Sequence, residues 1–180
     1  PPITWVGSPN FFANRAGVGN PTDIVYHCTD DLVLANTTGW FLNPSSKASA
    51  NFVIDRDGTV YQFVSSKDGP WSNGEINKPR TDIPELTRIL TSGMNPNDYC
   101  ITYEFVATPE TPPTQAQYDA AIRLSRYFCH PGVYAINPNR SHQLRHADID
   151  SVNRANCPGP HFDLTQIITA IGGDPNQIAA

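Results

Sequence analysis

The sequence predicts an α/β fold, a single domain in which one central β-sheet is covered by helices. Three observations point there. Short runs rich in β-branched and aromatic residues recur near residues 22–28, 51–64 and 99–106, an amphipathic helix follows the last of them, and a second helix closes the chain. With 180 residues the chain has the length of one ordinary domain. Such a domain buries roughly 70% of its unfolded surface, so neither a disulfide nor a metal is required to build a core.

Taken in order, the breaker Asn20-Pro21 precedes Ile24-Val25-Tyr26-His27-Cys28, which reads as a buried strand beginning near Thr22. Residues from Thr29 to Phe41 read as a loop and short helix. Asn51–Ile54 and Thr59–Val64 flank Asp55-Arg56-Asp57-Gly58, and an Asp-Gly turn between apolar runs predicts a β-hairpin. From Gly69 to Pro96 the chain is rich in Gly, Pro, Asn and Ser and predicts long surface loops, broken by one or two helical turns over Glu85–Leu90. Tyr99–Val106 is the next strand. Thr114 can cap a helix that runs to Cys129, because Tyr118, Ala121, Ile122, Ser125 and Cys129 recur at three- and four-residue spacing before Pro131-Gly132 stops it. The stretch from Asn137 to Pro160 reads as mostly loop. A helix from Leu164 to Ile171 ends a domain of residues 1–171, and residues 172–180 read as a tail or linker remnant after which a second module once followed.

Composition narrows the function. Twelve Lys and Arg against seventeen Asp and Glu give a formal charge of −5, and no basic run offers the phosphate-neutralising surface of a nucleic-acid binder. No stretch approaches the apolar length of a membrane span. The N-terminal Pro1-Pro2-Ile3-Thr4-Trp5 lacks an initiator Met and a signal-peptide pattern, which suggests a processed or excised piece. Cys28, Cys100, Cys129 and Cys157 have the spacing of neither a small disulfide scaffold nor a CxxC knuckle. A phosphate loop, a GxSxG elbow and an HExxH motif are all missing from the chain. Asp148-Ile149-Asp150-Ser151-Val152-Asn153 starts like a calcium loop but places Val152 at a ligand position and Asn153 where glycine is needed. A nucleophilic pair of Cys28 with His27 fails too, since neighbours on a strand point to opposite faces.

What remains is His27 at a strand end, Glu104 on another strand, and His146 and Cys157 in a late loop. Two imidazoles and a thiolate suit zinc, and three protein ligands leave one tetrahedral position open, as in catalytic sites. A carboxylate such as Glu104 could then serve as the proton acceptor. The same residues have plainer readings: a satisfied core histidine, a surface histidine, an inert buried thiol and a solvated edge glutamate.

At these residues the sequence resembles the zinc-dependent N-acetylmuramoyl-L-alanine amidases, the superfamily that includes T7-type lysozyme, phage endolysin amidase domains and peptidoglycan recognition proteins. The resemblance runs from about Pro21 to Leu164. It is carried by Asp23–Thr29, by Asn51–Tyr61, by Asn97–Glu104, and by His146-Ala147-Asp148-Ile149 followed by Cys157-Pro158-Gly159-Pro160, in the family's order. It implies a mixed sheet flanked by helices, with zinc in a surface groove, and cleavage of the amide between N-acetylmuramic acid and L-alanine in bacterial peptidoglycan. Residue by residue, His27, His146 and Cys157 match the zinc ligands. Glu104 matches the glutamate that activates water in many members; Trp71 and Asn97 are the substrate-binding candidates, Trp71 reading either as a surface that stacks on sugar or as a residue packed in the core.

The sequence also departs from the family pattern. Ala50 stands where some members carry a catalytic Tyr, and Ala155 stands where a Lys or His commonly stabilises the oxyanion, which leaves Arg154 as the candidate for that role. Trp71-Ser72-Asn73-Gly74 lacks the frequent Trp-His pair. His161 is an alternative oxyanion donor that reads better as outward-facing, and Cys28 and Cys100 lie on strands the family places near each other, as a disulfide or as two thiols. The resemblance implies a monomer acting on the cell wall, extracellular, as an endolysin or secreted autolysin. Two alternatives are a non-catalytic peptidoglycan-binding module, disfavoured because Cys157 is present, and an intracellular recycling amidase, which usually has Asp as its last ligand.

Overall fold

The computed structural model describes residues 2–93 and 95–178. Six strands form one sheet: β1 (Ile3–Trp5), β3 (Asp23–Cys28), β4 (Phe52–Ile54), β5 (Val60–Gln62), β7 (Cys100–Phe105) and β8 (Gln143–Arg145). Their spatial order is β1-β5-β4-β7-β3-β8. Only the β4–β5 hairpin is antiparallel and the other four pairs are parallel, so the sheet is mixed. β2 (Phe11–Phe12) and β6 (Gly69–Pro70) pair separately. The helices are α1 (Leu34–Leu42), α2 (Pro84–Thr91), α3 (Pro96–Tyr99), α4 (Gln115–Cys129), α5 (His146–Ile149) and α6 (Leu164–Ala170).

Period-two alternation sorts the strands between two apolar layers. On one face Ile24, Tyr26, Phe52, Ile54, Ile101, Tyr103 and Phe105 pack against Tyr118, Ala121, Ile122 and Phe128 of α4 and Leu164, Ile167 and Ile168 of α6. The opposite face carries two smaller clusters. One joins Val25, Cys100 and Leu144 to Leu86 and Ile89 of α2. The other joins Val53 and Val106 to Phe41 of α1, with Ala50 and Phe63. Between these two clusters lies a polar row at the carboxyl ends of β3 and β7, where His27 pairs with Glu104. That is where ligands enter open sheets of parallel strands.

The local reasons follow the sequence. Thr114 caps α4 by accepting from the Gln117 backbone while the Gln117 side chain caps Thr114 in return. Gln117 also donates to the carbonyls of Ile54 and Val106, tying α4 to the sheet. Gly58 turns the hairpin at φ 83°, and a Cβ there would lie 2.6 Å from the carbonyl oxygen of Ala116.

Several expectations are corrected. Tyr99 ends α3 and is not the start of a strand. The stretch from Asn137 to Pro160 is mostly loop, as expected, but also holds the short β8 and α5. β8 is short and polar at both ends, and it exists because it pairs with β3 and seats Leu144 in the core. Within residues 69–96 the helical turns expected over Glu85–Leu90 are present as α2, whereas β6 and the edge strand β1 were not predicted. Cys28 and Cys100 cannot meet, because Cys100 stands opposite Asp23 and Cys28 opposite Phe105. Five residues along parallel strands separate them by roughly 16 Å, and both are thiols. Past Gly172 the chain stays docked: the amides of Arg140 and Ser141 donate to the carbonyls of Asp174 and Gln177, and Ile178 packs on the α2 cluster. The last two residues of the predicted tail lie outside the described residues. Among the described residues no helix is long and apolar enough to cross a membrane.

Candidate metal centre and active site

A cavity of about 710 Å³ opens over the carboxyl ends of β3 and β7, with His27, Cys28, Glu104, His146, Arg154 and Cys157 among the residues that line it. His27 ends the buried run of β3, and Glu104 is its register partner on central strand β7. Glu104 is therefore not at an edge. His146 opens α5 directly after β8, the parallel neighbour of β3. Cys157 is brought to it across eleven residues by a backbone latch, the Ala147 amide donating to the Cys157 carbonyl at 3.0 Å.

The side chains converge. One ligand atom each from His27, His146 and Cys157 lie within 4.8 Å of one another. The two Nδ1 atoms of the histidines face each other at 2.9 Å, and Oε1 of Glu104 is 4.0 Å from Nδ1 of His27. Nε2 of His146 is held at 3.0 Å by the carbonyl of Asn73. As the donor in that bond it leaves Nδ1 of a neutral imidazole with a free lone pair aimed at His27, the orienting arrangement that metal-ligating histidines use. Nε2 of His27 and Oε2 of Glu104 are buried without a hydrogen-bond partner among the described residues.

The electrostatics agree with this donor set. Burial, and next the neighbouring His146, hold His27 well below the ordinary imidazole range. His146 is lowered to about 4, chiefly by burial. Both rings are therefore neutral at physiological pH, as ligation requires. Hydrogen bonding with Cys28 and then burial push the Cys157 thiol up. Burial, then Cys28, push Glu104 well above the usual carboxylate range, while Arg154 acts in the other direction. Two neutral imidazoles, a thiol and a carboxylate with unused buried atoms fit a zinc ion.

The remaining predicted residues divide. Arg154 is exposed on the cavity wall, and its charge reaches His27, Glu104 and His146. Trp71 lines the cavity and also packs on Phe12, ring centroids 5.5 Å apart. Asn97 does not face the cavity. It is buried in α3, and its Oδ1 accepts from the amides of Ser72 and Asn73 at 3.2 and 2.8 Å, so it acts on the groove by positioning the Trp71–Asn73 loop. His161 is exposed and not among the residues lining the cavity. Asp148 pairs with Arg140 and Asp150 binds the amides of Val152 and Asn153, so the rejected calcium loop has its acids otherwise engaged. Sequence reasoning missed Asn73, which holds His146 through its carbonyl, and also Asn153, Asn156 and Trp40 on the cavity wall; Ser72, which follows Trp71 where the family's pair has a histidine, lines the cavity too.

A family model described as N-acetylmuramoyl-L-alanine amidase matches residues 17–160. The chain belongs to this family of enzymes. No curated protein sequence matches it. Among solved structures it is similar to an AmpD selenomethionine derivative, at TM-score 0.70 and 20% identity over 93% of each chain. It is also similar to the N-acetylmuramoyl-L-alanine amidase LysC from Clostridium intestinale URNW, at TM-score 0.63 and 21% identity, covering 97% of this chain and 99% of that one. The E. coli amidase AmiD, in complex with the substrate anhydro-N-acetylmuramic acid-L-Ala-D-gamma-Glu-L-Lys, matches at TM-score 0.63 and 19% identity, covering 85% of this chain and 59% of AmiD. At these identities the structures establish a shared α/β fold with a mixed sheet between helices.

Proposed function

We propose that the chain hydrolyses the amide between N-acetylmuramic acid and L-alanine in bacterial peptidoglycan, with zinc held by His27, His146 and Cys157. The observation that carries the reading is the convergence of these three donors beside Glu104 on the floor of an open cavity. It is supported by the family match and by the muropeptide named with AmiD. The endolysin and amidase relatives support action at the cell wall.

Zinc, when bound, supplies Lewis acidity that polarises the scissile carbonyl and lowers the pKa of water. The protein residues do the rest. Glu104, desolvated beside His27, accepts the proton of the attacking water and delivers it to the departing amine of L-alanine. Arg154 brings the cavity's positive charge to the developing oxyanion, in place of the side chain that Ala155 lacks. Asn73 keeps His146 in the ligating tautomer, and Trp71 offers an aromatic wall to the glycan-peptide junction.

The test is release of new L-alanine amino termini from purified peptidoglycan, with and without chelator and with zinc restored. Chelator-sensitive release that zinc restores is the expected result. In parallel, Cys157→Ala should lose the zinc of the cavity. Full activity after exhaustive chelation, or full zinc content in a Cys157→Ala variant blocked at all other sites, would overturn the ligand set.

A further inference from the structure

A second cluster stands at the opposite end of β3. Asp23 opens that strand, Glu85 lies in the first turn of α2, and His142 immediately precedes β8. One ligand atom from each falls within 4.8 Å of the others. Nδ1 of His142 is 3.1 Å from Oδ1 of Asp23 and 4.0 Å from Oε1 of Glu85. A tetrahedral ion with bonds of about 2.0–2.1 Å separates its ligand atoms by roughly 3.4 Å, so the spacing is that of a coordination shell. The carbonyl oxygen of Thr22 is also 3.0 Å from Nδ1 of His142.

Asp23 is the unusual member. It is 0% exposed, and its Oδ1, directed into the cluster, faces only Nδ1 of His142 at 3.1 Å, a nitrogen that it shares with the Thr22 carbonyl at 3.0 Å. Its Oδ2 is satisfied by the Thr22 hydroxyl. Glu85 is bonded by Arg88, which also reaches Thr22. Without another cation, two carboxylates here are balanced by Arg88 and a proton on His142. A fully buried carboxylate oxygen whose only facing group is an imidazole nitrogen shared with a backbone carbonyl is the position a divalent ion would take.

We propose that Asp23, Glu85 and His142 form a second zinc site, distinct from the cavity and structural in role. One imidazole nitrogen and two carboxylate oxygens are a donor set that zinc accepts. The bound ion replaces the proton on His142 and clips α2 and the segment before β8 to the first residue of β3. Three segments far apart in sequence are thereby joined at one point, so the ion stabilises the fold by binding the folded chain alone.

The experiment is zinc stoichiometry by mass spectrometry after stripping and reloading the whole chain. Wild type is expected to hold two equivalents, Cys157→Ala one, and His142→Gln one with peptidoglycan turnover within about twofold of wild type. For Cys157→Ala, zinc at about 100-fold over its Kd should raise the Tm by roughly 5–10 °C, and this rise should vanish in Cys157→Ala/His142→Gln. A single equivalent in wild type that Cys157→Ala abolishes would overturn the second site. A single equivalent that His142→Gln abolishes would instead support it and overturn the cavity site.

Discussion

Asn97 makes the connection between folding and chemistry measurable. Its Oδ1 accepts from the Asn73 amide at 2.8 Å and the Ser72 amide at 3.2 Å, inside a buried turn. Truncation in Asn97→Ala removes the one acceptor of both amides at once. The Asn73 amide is fully buried and is left unpaired at a cost of about 1–3 kcal/mol. The half-buried Ser72 amide can recruit water, so its loss is nearer about 0.5–1 kcal/mol. The sum is a destabilisation of about 1.5–4 kcal/mol, readable by urea unfolding as a lower midpoint at unchanged slope. The same turn presents the Asn73 carbonyl to Nε2 of His146. Loosening it should weaken zinc at the cavity by about 10–100-fold, as loss of an orienting partner does elsewhere. Asn97→Asp, which keeps an acceptor in place, should recover most of both. A variant that loses stability in the expected range yet binds zinc like wild type would refute the link between the turn and His146. A loss below about 1 kcal/mol would refute the hydrogen-bond account itself.

Further outcomes follow from individual contacts. Glu104→Gln should lower kcat by about 10²- to 10⁴-fold with zinc content unchanged, and near-wild-type turnover would remove Glu104 from proton transfer. Gly58→Ala must adopt φ 83° and place a Cβ 2.6 Å from the Ala116 carbonyl oxygen. It should cost about 2–4 kcal/mol, seen as a Tm lower by roughly 5–15 °C. In chelator, burial raises the Asp23 carboxyl from 3.8 to about 6, so over that interval the folded chain keeps a proton that the unfolded chain has released. Stability from this group therefore falls as pH rises through the interval. His142, raised chiefly through its Asp23 partner against the opposing effect of burial, contributes stability present below 6.5 and lost as pH passes its folded value, in the same direction. The difference between wild type and Asp23→Asn in denaturant unfolding at pH 4–8 should show this slope, and parallel curves would disprove it.

Local signals in the sequence were sufficient where a segment's own pattern set its structure. The hairpin follows from Asp57-Gly58 between apolar runs, and α4 from the Thr114 cap with three- and four-residue spacing. Both can be read because turn chemistry and periodicity act within a few residues. His27, Glu104, His146 and Cys157 could be named from order and resemblance, since a family motif keeps residue type at fixed landmarks. Tertiary structure decided what no local pattern encodes. β8 has too few apolar residues to announce itself and is a strand because β3 lies beside it. Asn97 looked like a groove residue and became a support because α3 buries it beneath the Trp71–Asn73 loop. Parallel register set Cys28 apart from Cys100 while placing Glu104 next to His27. Distances between residues dozens of positions apart depend on how strands pair and how loops return, and such pairing energies are spread over the whole sheet. The sequence determined which groups could do chemistry, and packing determined which of them meet.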